Sequence, residues 1–503
     1  MTLTSFSFFV FLLIVIIAFY IFNPFQKYIL LAASVYFYIS ISSVNAVKLI
    51  MLMFGILGVT YIGALIIEHV EGKVKSLFLV ISISMLVLVL FLLKYAYNIL
   101  GIIVSIFNLE ANISCLQFVS IIGISYYALS AIGYLIDIYW GNYKASKNPV
   151  DVALFIFYFP QLISGPFTRF PFMDKQFNKR NKLDYENLTS GMRRMAWGYF
   201  KKLVISERFG IIVSAVYGNY EAYSFVGIVG ATLCYAVQLY TDFSGCMDII
   251  MGASMLFGIE LPENFKAPFF SETIQEFWQR WHITLGTWFK DYFMYPVQKS
   301  KPIQNVAKWS KKKFGKKTGK KIPFYVAMLM LWILIGIWHG GTGYYFIASA
   351  GIPCILLILS DLCQPLFAIL VKTFKVNTEC KSWCWFRRVR TLFLICICWI
   401  VACSGGTYNA INIFRHMFIT PINYTPFTVA METFGLNTLD ILLMSLGMVI
   451  IYSAHKCEYE GTTIMRKLDR QNWGIKVLLI YVEVLVILFH GMVGSSAFIY
   501  FQF

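Results

Sequence analysis

EFWQRWHITLGTWFKDYFMYPV (276–297) is the stretch that decides how this 503-residue chain is read. It sets His282, Arg280, Lys290 and Asp291 among aromatic rings, between blocks of sequence fit for hydrocarbon. A second stretch, LWILIGIWHGGTGYYF (331–346), places His339 in similar company. A charged group at mid-bilayer costs roughly 2.5–3.5 kcal/mol even on lenient insertion scales, so such residues line a cavity and do something there. The bland alternative is that both imidazoles are satisfied packing residues or sit at the water interface. Two of them in motifs this dense tell against it.

Working outward, hydrophobic residues make up 59% of the chain and charged residues only 13%, and the mean hydropathy is +0.69. Soluble domains carry about 25% charged residues, so an all-α polytopic membrane protein is expected, with no room for a large soluble domain. Apolar stretches recur near 5–23, 28–44, 46–67, 76–103, 115–139, 150–166, 195–216, 224–241, 245–259, 323–339, 344–371, 390–404, 437–454 and 475–493. Several are short or broken by glycine and proline, which leaves about eleven spans plus re-entrant pieces. Irregular backbone at membrane depth must be buried in protein or face a water-filled cavity. Residues 262–300, rich in proline, tryptophan and charge, are the best candidate for it. Residues 8–20 lack a preceding basic region and a small-residue cleavage site, and read as a retained first span. No internal repeat is visible, which weighs against inverted-repeat transporters.

The positive charge is concentrated. Residues 299–321 hold ten lysines and no acid, in a chain of net charge +17. The positive-inside rule puts this loop in the cytoplasm, and the chain in the cell membrane as a multi-pass protein. A second basic cluster, Lys175, Lys179, Arg180, Lys182, Arg193, Arg194, Lys201 and Lys202, is expected on the same side. Topology and attraction to anionic headgroups, worth about 1 kcal/mol per lysine, account for most of this. Docking of an acidic soluble partner is the sharper alternative. Nucleic acid is not expected as a partner. The eleven cysteines are scattered through apolar runs, and none forms a zinc-ligand spacing with histidine.

Four further features bear on chemistry. GISYYALSAIGYLIDIYWG (123–141) is an apolar run ending in Asp137 and a glycine. In YFPQLISGPFTRF (158–170), Pro160, Gly165 and Pro166 forbid a continuous helix, while Gln161, Ser164, Thr168 and Arg169 offer donors. QLYTDFSGCMDIIMGASMLFGIELPENFKAPF (238–269) places Asp242 and Asp248 in hydrophobic surroundings. Beside His339, Gly340 and Gly341 carry no side chain, so a substrate can approach the ring closely. His69, His416, His455 and His490 read as span-end, loop or packing residues. For Asp242, burial as an ion-pair partner is as good a reading as direct chemistry, and for Asp248 it is the better one.

Taken in order, PQLISGP, TDFSG, PENF, FWQRWHITLGTWFKDY and GIWHGG resemble the membrane-bound O-acyltransferase family, in the branch of alginate O-acetyltransferase and the teichoic-acid D-alanyl transfer protein. The resemblance covers about residues 85–350, and the final FIYFQF (498–503) looks like the ending common in the alginate-acetylating sub-branch. After Tyr295 the chain departs from that pattern, with Pro296 followed by VQKSKP and the lysine run. The resemblance implies a ring of tilted spans around a thin centre, where a cytoplasmic funnel and an outer one are joined by a tunnel. It divides the chain into N-terminal helices (1–110), a catalytic core (111–350) and C-terminal helices (351–503). It makes His339 the catalytic histidine, and puts His282 in a second polar position that other branches fill with asparagine. It also implies helper proteins, often an extracytoplasmic partner that completes the transfer.

The residues suit that chemistry. A sugar or polyol hydroxyl needs a base to remove its proton during attack, and neutral histidine serves near physiological pH. A thioester donor, acetyl-CoA or a phosphopantetheine-carrier acyl group, is already activated. One base and a few donors for the developing oxyanion then suffice, with no metal or bound cofactor. His339 is expected as general base, with His282 orienting or donating to the acyl carbonyl. Asp242, Ser244, Arg280, Trp281, Trp338, Gln161 and Arg169 are expected to line the tunnel or support the pair. The function expected is acyl transfer, acetyl first, from a cytoplasmic thioester to hydroxyls of an extracellular or cell-wall polysaccharide. The alternatives are D-alanyl transfer from a carrier protein to teichoic acid and, more remotely, a proton-coupled transporter or polysaccharide export channel.

Overall fold

A computed structural model describes residues 1–42, 45–96, 100, 104, 107, 123–340, 343–420, 433–493 and 498. Gly341, residues 115–122 and all of FIYFQF except Phe498 lie outside them. Every named element among the described residues is helical, and pairing of extended backbone is confined there to an isolated antiparallel bridge between Phe265 and Trp281. Seven described helices are long and apolar enough to cross a membrane, or eight if a bent pair counts as one span. Other apolar blocks fold as shorter helices, such as Ile124–Trp140 (17 residues), Pro149–Phe157 (9) and Glu207–Gly218 (12). Glycine and proline set several of these limits: left-handed Gly123 and Gly141 flank the first, and Pro149 opens the second.

The chain forms two compact units. The first comprises Met1–Tyr199, Cys246–Pro262 and Ser496–Phe503. It opens with helices Phe6–Ile21 and Gln26–Ile41, bent by 110° around the Asn23–Phe25 turn. Pro24 ends the first helix there, because its ring lacks the amide proton that would continue it. The spanning helices Ala46–His69 and Gly72–Lys94 follow. PQLISGP stays non-helical: Gln161 Nε2 donates to the Pro166 carbonyl at 2.6 Å and to Thr168 Oγ1 at 3.1 Å. Gly191 and Gly252 face each other, and a Cβ on Gly252 would lie 2.6 Å from the Gly191 carbonyl oxygen. Small residues permit such close helix approach. Arg194 pairs with Asp248 at 3.0 Å beside that contact.

The second unit comprises Phe200–Gly245 and Glu263–Ser495. Residues 225–245 of the 31-residue helix Phe225–Met255 belong to it. Between Asn264 and Ser300 the chain turns repeatedly, with short helices Ile274–Arg280, Ile283–Phe289 and Tyr295–Lys299. The lysine-rich helix Lys301–Gly319 precedes the spanning helices Lys321–Trp338 and Gly343–Leu362. Helices Lys381–Cys403, Thr438–Tyr459 and Trp473–His490 complete the unit. Gly447 lets Thr438–Tyr459 approach Ile205, whose Cγ1 would lie 2.9 Å from a Cβ at that glycine.

Candidate active site

His282 sits where backbone, not helix, does the positioning. Lys266 N–H donates to the Arg280 carbonyl at 3.1 Å and Ile283 N–H to the Asn264 carbonyl at 2.9 Å, so PENF and QRWH run side by side. Between them His282 takes φ 48°, the left-handed region that side chains with a Cβ rarely adopt. Its ring is 4% exposed and meets Phe243 edge-on at 4.8 Å. His282 Nδ1 lies 3.1 Å from Asn264 Oδ1, which also accepts the Thr284 N–H at 3.1 Å and the Thr284 hydroxyl at 2.9 Å. The Thr284 amide fixes that atom as oxygen, an acceptor only. Nδ1 therefore carries the proton, and in the neutral ring Nε2 carries the lone pair.

His339 caps the helix Lys321–Trp338, with its amide bonded to the Ile335 carbonyl at 3.0 Å. The ring is 9% exposed, lies 4.8 Å from Trp338 and 5.9 Å from Tyr345. Gly340 follows at φ 129°, with nothing within 4 Å of where a Cβ would stand. The two imidazoles, 57 positions apart in sequence, belong to one unit. Phe289 and Trp338 bridge the two segments at 6.4 Å.

The remaining expected residues divide between places. Trp338 packs directly on His339, and Trp281 stacks on Phe277 at 5.6 Å with Tyr240 6.4 Å away. Arg280 is bound to Glu276 at 2.9 Å and lies over the Tyr459 ring at 5.4 Å. Asp242, wholly buried, is an ion-pair partner: Lys202 Nζ lies 2.6 Å from its carboxylate and 2.6 Å from Glu207. Ser244 accepts from Lys201 Nζ at 3.0 Å. Gln161 and Arg169 are in the first unit, Gln161 bonded within its own turn and Arg169 capping the helix Phe170–Phe177.

Several residues of this region were not singled out from sequence. Lys201 and Lys202, counted with the basic surface cluster, are 3% and 1% exposed; two adjacent lysines inside a run of apolar residues were the available signal. Asn264 stood within the PENF motif. His455, read as lying at a span end, is 2% exposed and lies 4.6 Å from Tyr240 and 5.6 Å from Phe269. No group of three His, Cys, Asp or Glu side chains fit to hold a metal occurs among the described residues.

Comparison with known proteins agrees with the family resemblance. Residues 144–308 match the model of MBOAT, the membrane-bound O-acyltransferase family. A probable alginate O-acetylase of Pseudomonas syringae pv. tomato is 31% identical over 297 residues, 59% of this chain and 51% of that protein. A peptidoglycan O-acetyltransferase of Helicobacter pylori is 30% identical over 355 residues, 65% and 62% of the two chains. A teichoic acid D-alanyltransferase of Bacillus subtilis is 29% identical over 239 residues, 46% and 56%. These alignments span between about half and two thirds of the relatives' length.

Proposed function

We propose that this chain, which carries a membrane-bound O-acyltransferase domain, passes an acyl group, acetyl first, from a cytoplasmic thioester to hydroxyls of an extracellular or cell-wall polysaccharide. The observation that carries this reading is the pair of buried imidazoles in one unit, with the tautomer of one set by Asn264. In the transfer, the acceptor oxygen attacks the thioester carbonyl, the C–O bond forms and the C–S bond breaks. His339 takes the hydroxyl proton as general base and returns it to the departing thiolate. His282 offers its Nε2 lone pair as an acceptor that orients the incoming hydroxyl. It donates to the acyl carbonyl only after taking up a proton, because its Nδ1–H is committed to Asn264. The relatives named as alginate and peptidoglycan acetylating enzymes support acetate as the group moved. A partner outside the membrane would complete delivery to the polymer.

D-alanyl transfer from an acidic carrier protein is the second reading. A relative named as a teichoic acid D-alanyltransferase favours it, as does the lysine-rich helix Lys301–Gly319, which suits an acidic partner. The test is ester released by mild base from the surface polysaccharide of cells carrying wild type, His339→Ala or His282→Ala. Acetate that vanishes in both variants at equal protein level supports the first reading. Alanine in its place supports the second. Unchanged ester with lost export flux would make the chain a transporter and end both.

A further inference from the structure

The first turns of helix Lys381–Cys403 meet the last turns of the spanning helix Thr438–Tyr459 through their rings: Trp385 stacks with Tyr452 at 6.3 Å and 17°. Phe270 lies between them, 5.5 Å from the rings of Tyr452 and Tyr459 and 6.5 Å from that of Trp385. Four guanidinium groups gather on this shelf. Arg388 covers Phe270 and Tyr459 at 4.8 Å each and Trp385 at 5.4 Å. Arg387 pairs with Glu272 at 2.6 Å, whereas Arg388 stands 3.8 Å from that carboxylate. Arg390 donates to the Glu272 carbonyl at 2.8 Å, and Arg280 pairs with Glu276 at 2.9 Å. Even with Glu458, whose carboxylate holds the Ala267 amide, the four guanidinium groups outnumber the three carboxylates. The Nε atoms of Arg387 and Arg388 are buried with no hydrogen-bond partner among the described residues, while 31% and 14% of the two side chains stay accessible.

The shelf stands at the head of an apolar surface. Along the first helix from Trp385, Val389 and Phe393 are 61% and 56% exposed. Along the second from Tyr452, Val449 and Leu446 are 61% and 53% exposed. Spacings of three and four residues keep successive members of each series on neighbouring positions of one helix side. In a chain that spans a bilayer, such a surface meets acyl chains, and exposed Trp and Tyr rings mark the headgroup level above them. Lys321–Trp338 and Gly343–Leu362 both qualify as spans. The chain therefore crosses and returns, bringing residues 381–390 to the side of the lysine-rich helix, the cytoplasmic side by the positive-inside rule.

We propose that this cluster binds one anionic phospholipid, its phosphate on Arg387 and Arg388 and its acyl chains along the exposed sides of the two helices. Guanidinium forks match phosphate oxygens. The surplus of positive charge selects an anionic headgroup over a zwitterionic one. A free phosphate presents the same oxygens but no chains, and leaves Val389, Phe393 and Val449 as they were. The lysine-rich helix Lys301–Gly319 attracts such lipids as a diffuse field. Here the two guanidinium groups are fixed by Glu272 and by three rings, which makes a discrete site. The site is independent of the acyl-transfer reading and stands or falls without it.

The test uses the full chain in dodecyl maltoside micelles, with dioleoylphosphatidylglycerol, dioleoylphosphatidylcholine and inorganic phosphate as probes. Native mass spectrometry reads lipid retention, and thermal unfolding reads the midpoint with and without each probe. Wild type should retain phosphatidylglycerol about fivefold or more over phosphatidylcholine, and the anionic lipid should raise the midpoint. Arg387→Gln and Arg388→Gln should each cut that retention about fivefold. Each should also remove most of the lipid-dependent rise, which the loss of a merely structural contact leaves in place. Arg388→Lys should recover part of both. Phe393→Ala should weaken phosphatidylglycerol about twofold or more and leave phosphate unaffected. Lys316→Gln, on the lysine-rich helix, should change retention by less than about twofold. Equal retention of the two lipids by wild type overturns the site, as does a loss in Lys316→Gln as large as in Arg388→Gln, which is diffuse attraction. Retention within about twofold of wild type in both arginine-to-glutamine variants overturns it too. A rise given equally by inorganic phosphate, and lost in Arg388→Gln, makes this a free-anion site and overturns the lipid assignment.

Discussion

At His282 the backbone holds a Cβ-bearing residue at φ 48°, a conformation that asparagine, like histidine, adopts more readily than most side chains with a Cβ. The resemblance implies asparagine at this position in other branches, and the backbone gives a physical reason for that expectation. His282→Asn should therefore leave thermal unfolding unchanged or raise its midpoint, while ester formation falls. A drop in the midpoint would assign the imidazole a packing role. Asn264→Ala removes the bond that sets the tautomer and should lower kcat about tenfold to a hundredfold at constant protein level; an unchanged kcat would free His282 from that constraint. Lys202→Met leaves Asp242 and Glu207 as buried carboxylates without this lysine and should cost about 3–5 kcal/mol of stability. The triple change Lys202→Met, Asp242→Leu, Glu207→Leu should recover much of that midpoint in detergent. His282 and His339 stood out in the sequence because polar residues are rare in such company. Lys202 did not, because it was counted with the basic cluster and its acidic partners, Glu207 and Asp242, lie five and forty positions on.

The non-helical segments were the elements most legible in advance. Prolines and glycines in residues 158–170 and 262–300 announce breaks that no apolar run can override, and the breaks fall there. What sequence did not give was the pairing of Phe265 with Trp281, since a single bridge has no periodicity to read. Contacts between helices are equally silent: Gly447 looks like any glycine in a spanning helix until Ile205 is found against it. Gly447→Ala should lower stability by about 1–3 kcal/mol through overpacking, and Ile205→Ala in the same chain should relieve most of it. Equal, additive losses in a double-mutant cycle would show that the two helices do not press on each other there.

For the molecule as a whole, composition was enough to announce an all-helical membrane protein. It leads to an expectation of about eleven spans, and seven or eight helices among the described residues are long and apolar enough to cross. The charge bias predicts sidedness. A cysteine placed by Lys316→Cys should react with a membrane-impermeant maleimide in inside-out vesicles and not in intact cells, above the background of the native thiols; labelling in intact cells would invert the topology. The helix Phe225–Met255 adds a constraint of another kind. Its 31 residues extend about 46 Å, whereas a bilayer's hydrocarbon is about 30 Å thick. Such a rod must lean or protrude, and the angle it settles at depends on lipid chain length. Because Asp242 and Ser244 ride on it, the proposed acyl transfer should vary with bilayer thickness, so that membrane composition acts as a tuning control.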